Sequence, residues 1–208
     1  MWWILPIAMM SSQNGFVPRE SCWGNDNRGQ IYRKKAWCDF TWIFLLLLLM
    51  SCSSEHPLVV IPSPPEVRGR ALLYARKYME EGAVYEWGGQ DPLPKIAVDC
   101  SGLVIRCYQY ACQDEGYVLL FNDTTSFGLG EYCKKLVLEE VAAGDLIFMG
   151  EHGQISHVAL FVGKDVEFVT FIDSTYKPEE GINGVSERKF PLGDSRILAY
   201  GRLYVGRK

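Results

Sequence analysis

The hydrophobic period changes once along this chain, and that change limits what it can fold into. In "EVRGRALLYARKYMEEG", which begins the domain near Glu66, Val67, Ala71, Leu72, Ala75, Tyr78 and Met79 follow the 3.6-residue period of a helix with one apolar face. Gly82 is the expected C-cap. A second helix is predicted after Asp99, a strong N-cap residue, with Leu103, Val104, Cys107, Tyr108 and Ala111 as its apolar stripe. Between the two, "VYEWGGQDPLPKIA" reads as a loop, because paired glycines and two prolines interrupt any period. Downstream the period is two: "GDLIFM", "ISHVALFVG", "VEFVTFIDS", "GVSERKF" and "ILAYGRLYV" are short, rich in branched and aromatic residues, and separated by turn formers. Helices first and strands afterwards predict an α+β domain, its N-terminal helices packed on a mainly antiparallel sheet.

The first 65 residues are of another kind. Arg33, Lys34 and Lys35 precede an unbroken apolar run from Trp42 to Met50, nine residues long and about half of a bilayer span. A cationic segment, a short leucine-rich run and a small residue before a cysteine are similar to a bacterial lipoprotein signal, with "LMSC" as its cleavage box and Cys52 as the lipid-bearing residue. A plain secretory signal or a short membrane anchor is the alternative. Residues 1–30 are long for such a segment and are expected to be an upstream extension. After Cys52, "SSEHPLVVIPSPPE" places four prolines in fourteen positions, the composition of a semi-rigid spacer. The expected organisation is therefore an extension and signal over 1–51, a spacer over 52–65 and one domain over 66–208.

Composition excludes several functions. A formal charge of −4, with basic residues clustered only at positions 33–35, leaves no basic face for nucleic acid. Seven cysteines without a CxxC pair argue against a structural zinc site, and no metal or other cofactor is expected. Cys100 stands apart from the other cysteines. Behind an Asp99 cap it falls in the first helical turn, where unpaired N–H groups and the positive end of the helix dipole favour a thiolate nucleophile. Cys107 lies two turns along the same helix, about 10 Å away by helical rise and beyond disulfide reach. Cys107 and Cys112 read as core residues, and Cys133 as either a surface thiol or a core residue.

A thiolate nucleophile needs a base, and there are three histidines. His56 lies in the spacer and His152 in a hairpin loop. His157 opens the strand "HVALFVG", from whose end an imidazole can reach a facing helix terminus. A structural histidine remains as good a reading on placement alone.

Four strings in order, "YEWGG" (85–89), "DCSGLV" (99–104), "AGDLIFM" (143–149) and "HVALFVG" (157–163), resemble the NlpC/P60 family of papain-like cysteine peptidases over about residues 66–205. The resemblance implies Cys100 as nucleophile and His157 as base. It also implies Tyr85 beside the cysteine as an oxyanion donor, with Asp99 and Ser101 binding the substrate's polar backbone and amino terminus. Asp99 as a mere helix cap is the plainer reading, and Trp87 is expected to pack under its loop. Many relatives carry a second histidine where this chain has "FIDST"; Asp173 takes that place as the residue orienting the imidazole, with Thr170 or Ser174 as the alternative.

The implied reaction is hydrolysis of a peptidoglycan stem peptide between D-glutamate and the diamino acid, through an acyl-enzyme. The chain would act as a monomer at the cell envelope, held to the membrane by a lipid on Cys52. The competing readings are an amidase of the related CHAP type and a non-catalytic envelope lipoprotein that keeps the fold as a binding module.

Overall fold

A computed structural model describes residues 23–25, 31–33, 57–94 and 96–207. The chain divides into two units, residues 1–55 and 56–208. In the first, β1 (Trp23–Asn25) and β2 (Ile31–Arg33) pair antiparallel, Trp23 opposite Arg33. The expected signal peptide and the expected lipidation site, Cys52, lie outside the described residues. Among the described residues no helix is long and apolar enough to cross a membrane.

The second unit is an α+β domain. It opens with β3 (Val59–Pro62), α1 (Pro65–Glu80) and α2 (Cys100–Glu115). Three short elements follow: β4 (Tyr117–Leu119), α3 (Ser126–Leu129) and β5 (Cys133–Leu136). The long strands come last: β6 (Leu146–Glu151), β7 (Gln154–Lys164), β8 (Phe168–Lys177), β9 (Ile182–Pro191) and β10 (Ile197–Arg207). They form an antiparallel sheet in the order β3-β10-β6-β7-β8-β9, with β4 and β5 also paired to β10.

Both predicted helices form, and their punctuation explains their ends. The Asp99 side chain caps α2, and α2 stops at Gly116, whose φ of 73° suits a glycine. Helix α1 ends one residue earlier than its pattern suggests, with Glu81 as C-cap and Gly82 just beyond it. The hairpin joining β6 and β7 turns on His152 and Gly153, both at positive φ, a two-residue turn whose twist matches that of the strands.

One expectation needs correction. Part of the expected spacer belongs to the domain, because Val59–Pro62 pairs with Tyr204–Arg207 of β10. Val59, Val60 and Ile61 are branched residues suited to a strand, and the flanking prolines are tolerated at a sheet edge. The short elements between α2 and β6 carry too few residues for either period to register, so no pattern announced them.

The sheet is buried on both faces. One face packs on α1 and α2, joining Leu146, Val158, Leu160 and Ile172 to Val67, Tyr78, Leu103 and Val104 in the main core. The other carries Ile147, Ala159, Phe161, Phe171 and Phe190, covered by Leu138, Val141 and Leu192. That double burial is why "LIFM" is a continuous apolar run instead of an alternation.

Candidate active site

The loop between the helices and the start of α2 are tied together by one carboxylate. Asp99 Oδ1 accepts the Gly102 N–H at 2.6 Å and the Ser101 hydroxyl at 3.0 Å, while Oδ2 accepts the Gly88 N–H at 2.9 Å. The Asp99 N–H in turn donates to the Gly89 carbonyl at 3.0 Å. This contact explains the glycine in "DCSG": a Cβ on Gly102 would lie 2.1 Å from the Gly89 oxygen. The first turn of α2 is thereby held against "YEWGG", and Cys100 sits at its first position, buried but opening onto a cleft.

That cleft, about 580 Å³, gathers the residues expected at the site: Tyr85, Asp99, Cys100, Ser101 and His157 all line it. Asp173 lies behind His157, fully buried. His157 is not at the start of its strand, as its motif suggested, but three residues inside β7. Met149 pairs with His157 and Gly150 with Ile155, so Ser156 is an extra residue beside the histidine. A bulge of this kind re-aims the neighbouring side chain.

The imidazole connects the two groups on either side of it. His157 Nε2 lies 2.6 Å from Asp173 Oδ2. An ionised carboxylate only accepts, so Nε2 carries the proton and Nδ1 is left for the side of Cys100. Burial pulls the His157 pKa down, but hydrogen bonding to Asp173 and interaction with Cys100 outweigh it and raise it to about 9. Burial alone would push the Asp173 carboxyl up; hydrogen bonds from His157 and Arg188 hold it below its usual value instead. Of the alternatives to Asp173, Ser174 spends its hydroxyl on the Val98 carbonyl at 2.6 Å, and Thr170 pairs with Gly163 and Lys189, farther along the sheet.

Tyr85 has its phenol pKa raised by burial and by the nearby Cys100 and Asp99, which keeps the hydroxyl protonated as a donor. Trp87 contradicts its expectation: it does not pack under the loop but is 87% exposed on the cleft wall, with the 58% exposed Tyr176 also lining the cleft. The positive φ of 72° at Gly88 turns the chain immediately after it.

The other cysteines are set apart by environment. Burial pushes the Cys107 thiol far up and the Cys112 thiol to about 12, as expected of core residues. Cys133, undecided by sequence, is partly buried in β5, and burial with the nearby Asp145 raises it to about 12. Among the described residues no cluster of three His, Cys, Asp or Glu side chains is arranged to hold a metal.

In the sequence Arg188 is one residue of the strand segment "GVSERKF", yet its guanidinium grips Asp173: Nε donates to Oδ1 at 2.9 Å and Nη2 donates to Oδ2. The one hint in the sequence is a basic residue in a segment that pairs with an acidic one. It becomes informative only once the β8–β9 register sets Phe171 opposite Arg188 and Asp173 opposite Ser186.

Residues 82–183 match the model of the NlpC/P60 family. The bifunctional muramidase/DL-endopeptidase CwlT of Bacillus subtilis is 38% identical over 92 residues, 43% of this chain and 25% of that protein. Protein P54 of Enterococcus faecium is 33% identical over 98 residues, 47% of this chain and 17% of its own length. The chain thus spans a quarter or less of these curated relatives. A structure of a protein similar to a lipoprotein of the NLP/P60 family from Staphylococcus aureus aligns at 20% identity and a TM-score of 0.48, covering 78% of this chain and 48% of that one.

Proposed function

This chain belongs to the NlpC/P60 family, and from that premise we propose that it is a cysteine endopeptidase cutting peptidoglycan stem peptides between D-glutamate and the diamino acid. The observation that carries this reading is that Cys100 and His157 line one cleft while the buried Asp173 bonds to His157 from behind. The Cys100 sulfur attacks the scissile carbonyl carbon, forming the C–S bond as the carbonyl electron pair moves onto oxygen. The Tyr85 hydroxyl and the Cys100 backbone N–H, one of the unpaired donors of the first helical turn, stabilise that oxyanion. His157, holding the proton taken from the sulfur, passes it to the departing amine as the C–N bond breaks. Water, deprotonated by His157, then attacks the thioester, releasing the acid and restoring the sulfur. Asp99 and Ser101, on the cleft wall, contact the substrate's polar groups with whatever capacity the helix cap leaves them. The DL-endopeptidase activity named for the Bacillus subtilis relative supports the same substrate class. The assembled cysteine, histidine and carboxylate weigh against a purely binding role.

Incubating the full chain with defined muropeptides and identifying products by mass spectrometry tests the proposal. A single cut after D-glutamate is the expected product, and release of intact stem peptides from the sugar would replace the endopeptidase with an amidase. Attachment to the envelope through a lipid on Cys52 is part of the same reading, and a mature chain that incorporates no labelled fatty acid would remove it.

Two further outcomes are expected. Because the raised His157 pKa keeps the imidazolium available as proton donor, activity should persist through neutral pH and fall as pH rises through about 9. A base limb near the ordinary histidine value of about 6.5 would contradict the pairing with Asp173. Trp87→Ala should raise KM by about 2- to 10-fold, the worth of one aromatic contact, with kcat and melting temperature nearly unchanged because the ring covers no core. An unchanged KM would leave the exposed ring without a part in binding.

A further inference from the structure

We propose that Arg188 is a positioning residue that keeps Asp173 ionised and aimed at His157 through both proton transfers. The proposal rests on the Cys100, His157, Asp173 reading above and adds a fourth member to it. Asp173 is fully buried, and a carboxylate removed from water needs a counter-charge throughout the reaction cycle. His157 supplies one only while it is an imidazolium, so each time it yields its proton that compensation vanishes. A guanidinium stays charged whatever the imidazole does, so the compensation from Arg188 persists in both halves of the reaction.

The geometry suits this task. The guanidinium meets Asp173 through two nitrogens, Nε to Oδ1 at 2.9 Å and Nη2 to Oδ2. A two-point grip fixes the plane of the carboxylate, which a lysine ammonium could not do. With that plane fixed, Oδ2 is presented to His157 Nε2, and the opposite ring nitrogen is left for Cys100. Arg188 is itself immobilised: its side chain is 10% exposed, and its guanidinium carbon lies 5.3 Å from the Phe171 ring centre and 5.4 Å from that of Phe190.

The charged groups around the pair are few. Asp173 on β8 is faced by His157 from β7 and Arg188 from β9, and His157 by Asp173 and by Cys100 from α2. Arg188 also borders a cavity of about 480 Å³ that adjoins the cleft at His157 and is lined by Glu151, His152, Lys177 and Arg196. Lys177 is paired with Glu180 and Arg196 with Asp194, while the ion pair of Arg188 is with Asp173.

The test reads the imidazole and the sulfur directly, so failure to cut peptidoglycan would sink the substrate reading and leave this one standing. The His157 ring is followed by NMR over a pH titration, beside the rate of Cys100 alkylation by iodoacetamide, in the full chain and in Arg188→Gln, Arg188→Lys and Asp173→Asn. In Arg188→Gln, Asp173 should take up a proton at a pH higher by about 1–3 units, the usual effect of a nearby opposite charge, and the hydrogen-bonded His157 signal should be lost there. The alkylation rate at the low-pH end should fall with it. Arg188→Lys should give a smaller shift with slower alkylation than wild type, because charge returns without the two-point grip. In the Asp173→Asn background, adding Arg188→Gln should change the His157 titration no further. A lowered melting temperature with an unmoved titration would reduce Arg188 to a structural residue and overturn the proposal. If Arg188→Gln does not fold, wild-type titration and alkylation in Arg188→Lys would overturn it equally.

Discussion

Cys100→Ala is expected to abolish muropeptide cleavage, with a loss on the order of 10⁶-fold in kcat, while the domain folds as before. The size follows from the proposed mechanism: the sulfur is the atom that would form the acyl-enzyme, and binding and oxyanion stabilisation alone give slow hydrolysis. The fold should be indifferent because alanine is a good helix former at the first position of α2 and the Asp99 cap, which holds that turn, is untouched. Mass spectrometry of the products, with circular dichroism as the folding control, checks both halves. Cleavage that survives the substitution would remove Cys100 from the mechanism.

Asp145→Ala should have the largest effect on stability. Asp145 is fully buried and takes Arg202 Nε at 2.9 Å, Arg202 Nη2 at 2.8 Å and the Ala142 N–H at 2.8 Å, with Arg68 Nε 3.5 Å away. The buried Arg68 Nε makes no hydrogen bond, so this ion pair is what compensates it. Removing the carboxylate strands charge on α1 and on β10 at once. The expected loss is about 3–5 kcal/mol, which for a domain of this size lowers Tm by about 6–20 °C. A thermal melt decides it, and a shift below about 2 °C would mean that the two arginines find other partners. This aspartate holds the sheet to the helix layer, so the "AGD" string, read as the start of a strand, is also a structural anchor.

What could be read in advance was local. The α1 and α2 stripes, the Asp99 cap and the five long strands each depend on residues within a few positions of one another, where sterics and hydrogen bonding act directly. The place of Cys100 in the first turn of a helix is a consequence of Asp99 three residues before Gly102, and it was legible for that reason. His157 was identifiable as a candidate base, but the bulge at Ser156 that aims it depends on pairing with β6 and left no mark in the local pattern. The edge strand β3 was hidden because prolines outweigh three branched residues in a composition, whereas β10 supplies hydrogen-bond partners that composition does not register.

By itself, then, the sequence determined the α+β class, the helix that carries Cys100, and the residue types from which a cysteine peptidase site could be made. The tertiary structure decided which of them meet. Asp173 reaches His157 across sixteen residues, and Arg188 reaches Asp173 across fifteen, through strand registers in which a slip of one residue would turn every side chain to the other face. Trp87 stands in the open, and not under its loop, because the loop packs on α2 through backbone atoms of Gly88 and Gly89 and leaves the ring nothing to cover. Such contacts are settled by the packing of the whole sheet against the helices, and no window of neighbouring residues contains them.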